Sequence, residues 1–146
     1  MQIDLPSQSE ISKLKIGISC FYYKIPGQKL GIKFYENKRE RDYALQMQEL
    51  SYFAGVAPKT GKIINHAGYY GFVTEHVVTL GELYRSQENV PKSYLNQLDN
   101  LVRAVYNCCE HEVDTNWLNF GIIGKQLVCI DFGFHCRDSY SNLEYV

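Results

Sequence analysis

Residues 111–133, HEVDTNWLNFGIIGKQLVCIDFG, restrict this chain more than any other stretch. Asp114 is followed by Asn119, and two apolar runs, FGII and QLVCI, then flank the pair Gly124-Lys125. The segment ends in Asp131-Phe132-Gly133. Two apolar runs parted by a short glycine-containing turn read as a β-hairpin. A hairpin holds its ends side by side, so it sets the separation of Asn119 and Asp131. Asp and Asn beside a hairpin are also ordinary turn residues, but in this order they share a chemistry. A carboxylate at Asp114 can accept or orient the proton of an attacking hydroxyl. The amide oxygen of Asn119 and the carboxylate of Asp131 are hard donors of the kind Mg²⁺ prefers. Phosphoryl transfer needs these groups together.

The series Asp114-x4-Asn119, hairpin, Asp131-Phe132-Gly133 resembles the catalytic loop and DFG segment of the protein-kinase-like fold. The resemblance implies an α+β chain. A small antiparallel-sheet N-lobe with one helix would span about residues 11–76, after a loose lead-in over 1–10, and a much reduced helical C-lobe about 77–146. It implies ATP and Mg²⁺ as cofactors, Asp114 as the catalytic base, and Asn119 and Asp131 as metal ligands. One position departs from the family pattern. Kinases usually place His two residues before the catalytic Asp; here Glu112 stands there and His111 is three before.

Upstream, Ile11 to Tyr35 reads as three antiparallel strands, KLKIGIS, CFYYKI and LGIKFY, with a Pro26-Gly27-Gln28 turn before the last. Alternation in LGIKFY sends Ile32 and Phe34 to one face and Lys33 to the other. On the resemblance, Lys33 is the catalytic lysine set against the α- and β-phosphates. The turn Gly17-Ile18-Ser19-Cys20 stands where a phosphate-covering glycine loop would lie, with Gly17 and Ser19 as nucleotide contacts. It keeps one glycine and, taken on its own, reads as an ordinary hairpin.

Lys38 to Ala54 has helical spacing, with Glu36-Asn37 before it and Gly55 after it. Tyr43, Met47, Leu50 and Ala54 define its apolar stripe. A kinase lysine takes a glutamate partner from this helix, and two compete. At about 100° per residue, Glu40 falls on the edge of the stripe and Glu49 nearly opposite it. The spacing from Lys33 in related folds is nearer to Glu49, whereas the facing argument favours Glu40.

Gly55-Val56-Ala57-Pro58 closes the helix in a manner resembling bacterial, phage and small-molecule kinases. Lys62–Asn65 and Tyr69–Val73 read as strands around a His66-Ala67-Gly68 turn, the second continuing through Val77 into a hinge. There the resemblance gives backbone groups of Glu75 and Val77 to the adenine edge, Thr74 to the back pocket, and no role to His76. Thr79–Arg85 reads as a short helix and Pro91–Glu110 as a long one, with Leu95, Leu98, Val102 and Val105 on its apolar face. After Gly133 only residues 134–146 follow, without the A-P-E-type anchor of kinases. The resemblance is therefore to severely shortened kinases of bacterial effectors and phages. Such a lobe is expected to leave Leu101, Tyr106, Phe134 and Tyr140 uncovered, and so to take an activating protein partner or form a homodimer.

Composition narrows the partners. At 45% apolar and 14% aromatic residues, the chain has the material for one folded domain. A net charge of −1 without basic runs points away from nucleic acid. Five cysteines with no C-x-x-C pair read as reduced and inert. No apolar run reaches the roughly 18 residues of a membrane span, so a cytoplasmic protein is expected, in the host cytoplasm if phage- or effector-encoded. The leading reading is an ATP–Mg²⁺ phosphotransferase acting on Ser, Thr or Tyr of a host protein. A pseudokinase-type binding protein and a small-molecule kinase are the alternatives.

Overall fold

In the LGIKFY strand every residue from Gly31 to Tyr35 is buried, because the strand lies inside a sheet covered on both faces. The computed structural model describes residues 4–16 and 19–133. It is an α+β structure whose main sheet has five antiparallel strands in the order β1-β2-β3-β5-β4. These are β1 (Lys15–Ile16), β2 (Cys20–Lys24), β3 (Leu30–Tyr35), β4 (Thr60–His66) and β5 (Tyr69–Glu75). A separate hairpin pairs β6 (Phe120–Ile123) with β7 (Gln126–Cys129), turning at Gly124 with φ +63°. Four α-helices are described: α1 (Gln8–Ser12), α2 (Lys38–Phe53), α3 (Leu80–Tyr84) and α4 (Lys92–Cys109).

The strand alternation acts as expected. Ile32 and Phe34 join Ile11, Phe21, Ile25, Ile64 and Val73 in an apolar layer on one sheet face. Tyr35 instead packs with Cys20, Ala44, Leu45 and Phe72 under α2. The expected loose lead-in is partly ordered. Ser7 and Glu10 cap α1 reciprocally, a capping box that satisfies two end amides, and Ile11 is fully buried. Burying one such side chain contributes about 1.5–3 kcal/mol, so residues 8–12 are a cover for the sheet and the first strand is only Lys15–Ile16.

Asn37 caps α2 by accepting from the Glu40 N–H at 2.8 Å, and Gly55 at φ +81° follows its last turn. Its buried face is Arg41, Ala44, Leu45, Met47, Gln48 and Ser51. The stripe expected through Leu50 and Ala54 is therefore rotated: both are exposed. Three of the buried side chains are polar and give no hydropathy signal. Arg41 shows why they tolerate burial, since its guanidinium donates to Asn65 Oδ1, to the Gly71 carbonyl and to Asp42.

A second core gathers α4, the hairpin, Leu80 of α3, Met47 of α2 and the chain leaving α2. Val105, Phe120 and Phe132 are fully buried there, with Leu101 also inside. The expectation that Leu101 is left uncovered is thus corrected. It sits one helical turn from Val105 on the face packed against the hairpin. Tyr106, nearly half exposed, does lie outside; Phe134 and Tyr140 are outside the described residues. Among the described residues no helix is long and apolar enough to cross a membrane.

Candidate functional site

Between the sheet and the hairpin lies a cavity of about 510 Å³. The sheet supplies Ile16, Cys20, Tyr22, Lys33, Tyr35 and Thr74. The segment after β5 supplies Glu75, His76, Val77, Thr79 and Glu82. Residues around the hairpin supply Asp114, Asn116, Leu118, Asn119, Ile130 and Asp131. Seven residues singled out from the sequence, Lys33, Thr74, Glu75, Val77, Asp114, Asn119 and Asp131, thus meet in one space.

The hairpin-end residues are locked to one another. Asn119 Nδ2 donates to the Asp114 carbonyl at 3.2 Å, which turns Oδ1, the atom able to bind a cation, the other way. The Ile130 N–H donates to the Asn119 carbonyl at 2.9 Å, so the strand leading to Asp131 is tied to the loop holding Asn119. Asp114 Oδ1 accepts from the Asn116 N–H, and Asp131 Oδ1 from the Gly133 N–H, each at 3.0 Å. Both carboxylates are therefore oriented by their own turns. Phe132 points away from the cavity into the core, its ring 5.7 Å from that of His111. His111 is itself fully buried and shares a 2.7 Å hydrogen bond with Tyr43 of α2. The imidazole of His111, three residues before Asp114, thus packs on Phe132.

Lys33 is buried, and its ammonium donates to Gln48 Oε1 at 2.7 Å and to the Ile130 carbonyl. Its Nζ also lies 5.9 and 5.8 Å from the ring centres of Phe72 and Phe132. Burial pushes its pKa below the ordinary lysine value, while Cys20, Asp131 and Cys129 pull it back up. The helix partner expected for it was Glu40 or Glu49. The structure brings neither to it. Glu49 is exposed and lies with Asp42, Leu50 and Phe53 on the outer side of α2, and Glu40 is half-buried in the first turn. Rotation of the buried face puts Gln48 inward instead, one residue before Glu49. Gln48 is fully buried and uses both ends of its amide: Nε2 donates to the Pro58 carbonyl at 3.0 Å and to Thr74 Oγ1 at 2.7 Å. Nothing in the sequence singles it out, because a lone glutamine in a helix has no hydropathy or motif signal.

At the other end of the cavity, the Glu75 N–H is committed to the Lys59 carbonyl at 2.8 Å and the His76 N–H to the Lys29 carbonyl at 3.0 Å. The Val77 amide has no hydrogen-bond partner among the described residues, although Val77 is buried. His76, to which the sequence gave no role, lines this end and shares a 2.6 Å hydrogen bond with Tyr22 Oη. Gly31 makes that pairing possible: a Cβ there would lie 2.0 Å from Tyr22 Oη. Glu82, which caps α3 through Thr79, and Cys20 also line the cavity without having been expected.

The expected nucleotide contacts also include Gly17 and Ser19. Gly17 lies outside the described residues. Ser19 is not among the residues lining the cavity, and its Oγ is buried with no hydrogen-bond partner among the described residues.

Oxygen donors at Asn119 and Asp131 suit a hard divalent cation. Among the described residues no group of three or more His, Cys, Asp or Glu could hold a metal ion.

Cys20 carries a pH dependence. Burial pushes its thiol up from 9.0 to about 12, with Lys33 opposing. Between those values the folded protein keeps a proton that the unfolded chain loses. The resulting stability is present below about pH 9 and falls towards about pH 12, at about 1.4 kcal/mol per pH unit. Cys20→Ala is expected to flatten the alkaline decline of the urea midpoint between about pH 8.5 and 10.5. Parallel curves for variant and wild type would mean that the thiol titrates as an exposed one.

No protein-family model matches the sequence, and no curated protein matches it significantly.

Proposed function

We propose that this chain has a protein-kinase-like fold and transfers the γ-phosphoryl group of ATP to a hydroxyl, with Ser, Thr or Tyr of a protein as the acceptor class. One observation carries the reading: Lys33, Asp114, Asn119 and Asp131, drawn from three separate segments, line a single cavity large enough for a nucleotide. The Val77 amide and the Glu75 carbonyl are suited to the edge of a purine. Lys33 would hold the phosphates by charge. Asn119 and Asp131 would hold Mg²⁺, which neutralises charge on the transferring phosphates when bound. Asp114 sits exposed at the mouth, where an acceptor hydroxyl can reach it. It would orient that hydroxyl and take its proton as the oxygen attacks phosphorus and ADP departs.

Glu82, at the mouth beside the purine end, adds an acceptor for a sugar hydroxyl. The pairing of Lys33 with a neutral amide favours a second reading, a protein that binds nucleotide without transferring phosphate. Incubation with Mg²⁺ and γ-labelled ATP, with and without a cell lysate, separates the two. Label on a protein acceptor, absent with Asp114→Ala, is the expected result. Nucleotide binding without any transfer would leave the binding reading, and no nucleotide binding at all would refute both.

A further inference from the structure

We infer that Gln48 is the positioning residue for Lys33, and that as a neutral bridge it leaves the counter-charge of that ammonium to be supplied by an anionic polyphosphate ligand. The second half of this inference rests on the nucleotide site proposed above; the first does not.

The geometry at Gln48 requires an amide. Its Oε1 accepts from the Lys33 ammonium, while its Nε2 donates to the Pro58 carbonyl and Thr74 Oγ1. Thr74 Oγ1 is directed towards the carbonyls of Lys59 and Glu75, at 3.5 and 3.3 Å, so it stands as an acceptor towards Gln48. A side chain here must therefore accept on one side and donate on the other. Glutamate is acceptor-only when ionised, and its second oxygen would face the Pro58 carbonyl with no proton between them. A buried acceptor pair of that kind is costly. The site thus selects glutamine on hydrogen-bond grounds.

Selecting an amide has an electrostatic consequence. Among the described residues the Lys33 ammonium has two hydrogen-bond acceptors, Gln48 Oε1 and the Ile130 carbonyl, and both are neutral. Asp131 acts on Lys33 electrostatically, and that carboxylate is the one a cation would claim. The buried ammonium thus lines the cavity with neutral hydrogen-bond partners, and away from bulk water a phosphate chain gains more from it. The bridge also couples Lys33 to Thr74 and Pro58, so one side chain registers the phosphate end of the cavity against the wall leading to the purine end.

The test uses the full chain with Gln48→Met, close in shape but apolar, and Gln48→Glu. Lysine accessibility is read by reductive methylation and mass spectrometry on ligand-free protein. Binding of ATP, adenosine and inorganic tripolyphosphate is read by calorimetry, and thermal melts confirm folding. Gln48→Met is expected to raise Lys33 labelling several-fold and to weaken ATP and tripolyphosphate binding by about tenfold, as loss of a supporting hydrogen bond does in preorganised sites. Adenosine binding is expected to change little. Gln48→Glu is expected to weaken tripolyphosphate at least as much, because the new carboxylate competes with it for the ammonium. If Gln48→Glu does not fold, tripolyphosphate binding by folded Gln48→Met decides in its place, and an undiminished value overturns the counter-charge. Unchanged Lys33 labelling in folded Gln48→Met overturns the positioning role, and undiminished tripolyphosphate binding by folded Gln48→Glu overturns the counter-charge. Should wild type bind no ATP while its Lys33 protection still depends on Gln48, the phosphotransferase reading and the counter-charge fall together and the positioning role stands.

Discussion

Asp131→Ala is expected to weaken binding of the Mg²⁺–ATP complex by tenfold or more, the range of about 10–100-fold being what even indirect supports of a metal site cost. The argument is geometric. Asp131 lines the cavity with Asn119, and its carboxylate is aimed by the Gly133 N–H. Removing it takes away the only charged donor of the proposed cation pair. The effect should be confined to metal-dependent binding: ATP titrated with chelator present should bind wild type and variant nearly alike. Calorimetry with and without Mg²⁺ reads both halves. Equal binding of the metal complex by the two proteins would remove Asp131 from the metal site. Phe132 stays in place in the variant, buried against His111, so the change should not unfold the second core.

Asp114→Asn is expected to lower turnover by about 10²-fold or more while leaving ATP affinity close to that of wild type. Asn is nearly isosteric and can still accept from the Asn116 N–H, so the turn should survive. It cannot take a proton. Asn119 is held through the Asp114 main-chain carbonyl, not its side chain, so the cation pair should also be undisturbed. The measurement is kcat and KM for ATP in parallel with binding. A variant with full turnover would make Asp114 a turn residue and place the base elsewhere.

These two effects draw on parts of the protein that the sequence already exposes. Residues 120–129 alternate and turn at Gly124 because of their own chemistry, and this brings Asn119 and Asp131 to one end of a hairpin whatever surrounds it. Likewise Ile32, Lys33 and Phe34 must face alternately in any extended strand, and Asn37 and Gly55 bound α2 by capping and by a positive φ. Local hydrogen bonds and period-two geometry act over a few residues, so they can be read along the chain.

Partner choice inside the fold could not be read that way. Which carboxylate of α2 meets Lys33 was argued from an apolar stripe through Leu50 and Ala54, yet both are exposed and Gln48 lies inward. The helix turns its polar Arg41, Gln48 and Ser51 inward because other parts of the chain offer them hydrogen bonds there: Asn65 to Arg41, Pro58 and Thr74 to Gln48, and the thiols of Cys108 and Cys109 to Ser51. Tyr22 finds His76 for a similar reason: a residue without a side chain, Gly31, lies beneath its ring on the neighbouring strand. The sequence by itself determined strands β2 to β5, the hairpin, the bounds of α2 to α4 to within a residue or so, and the order of Asp114, Asn119 and Asp131, but not α1. Only the tertiary structure decided which polar groups are buried together, because a buried polar group is stable only opposite its complement, and that complement comes from another part of the chain.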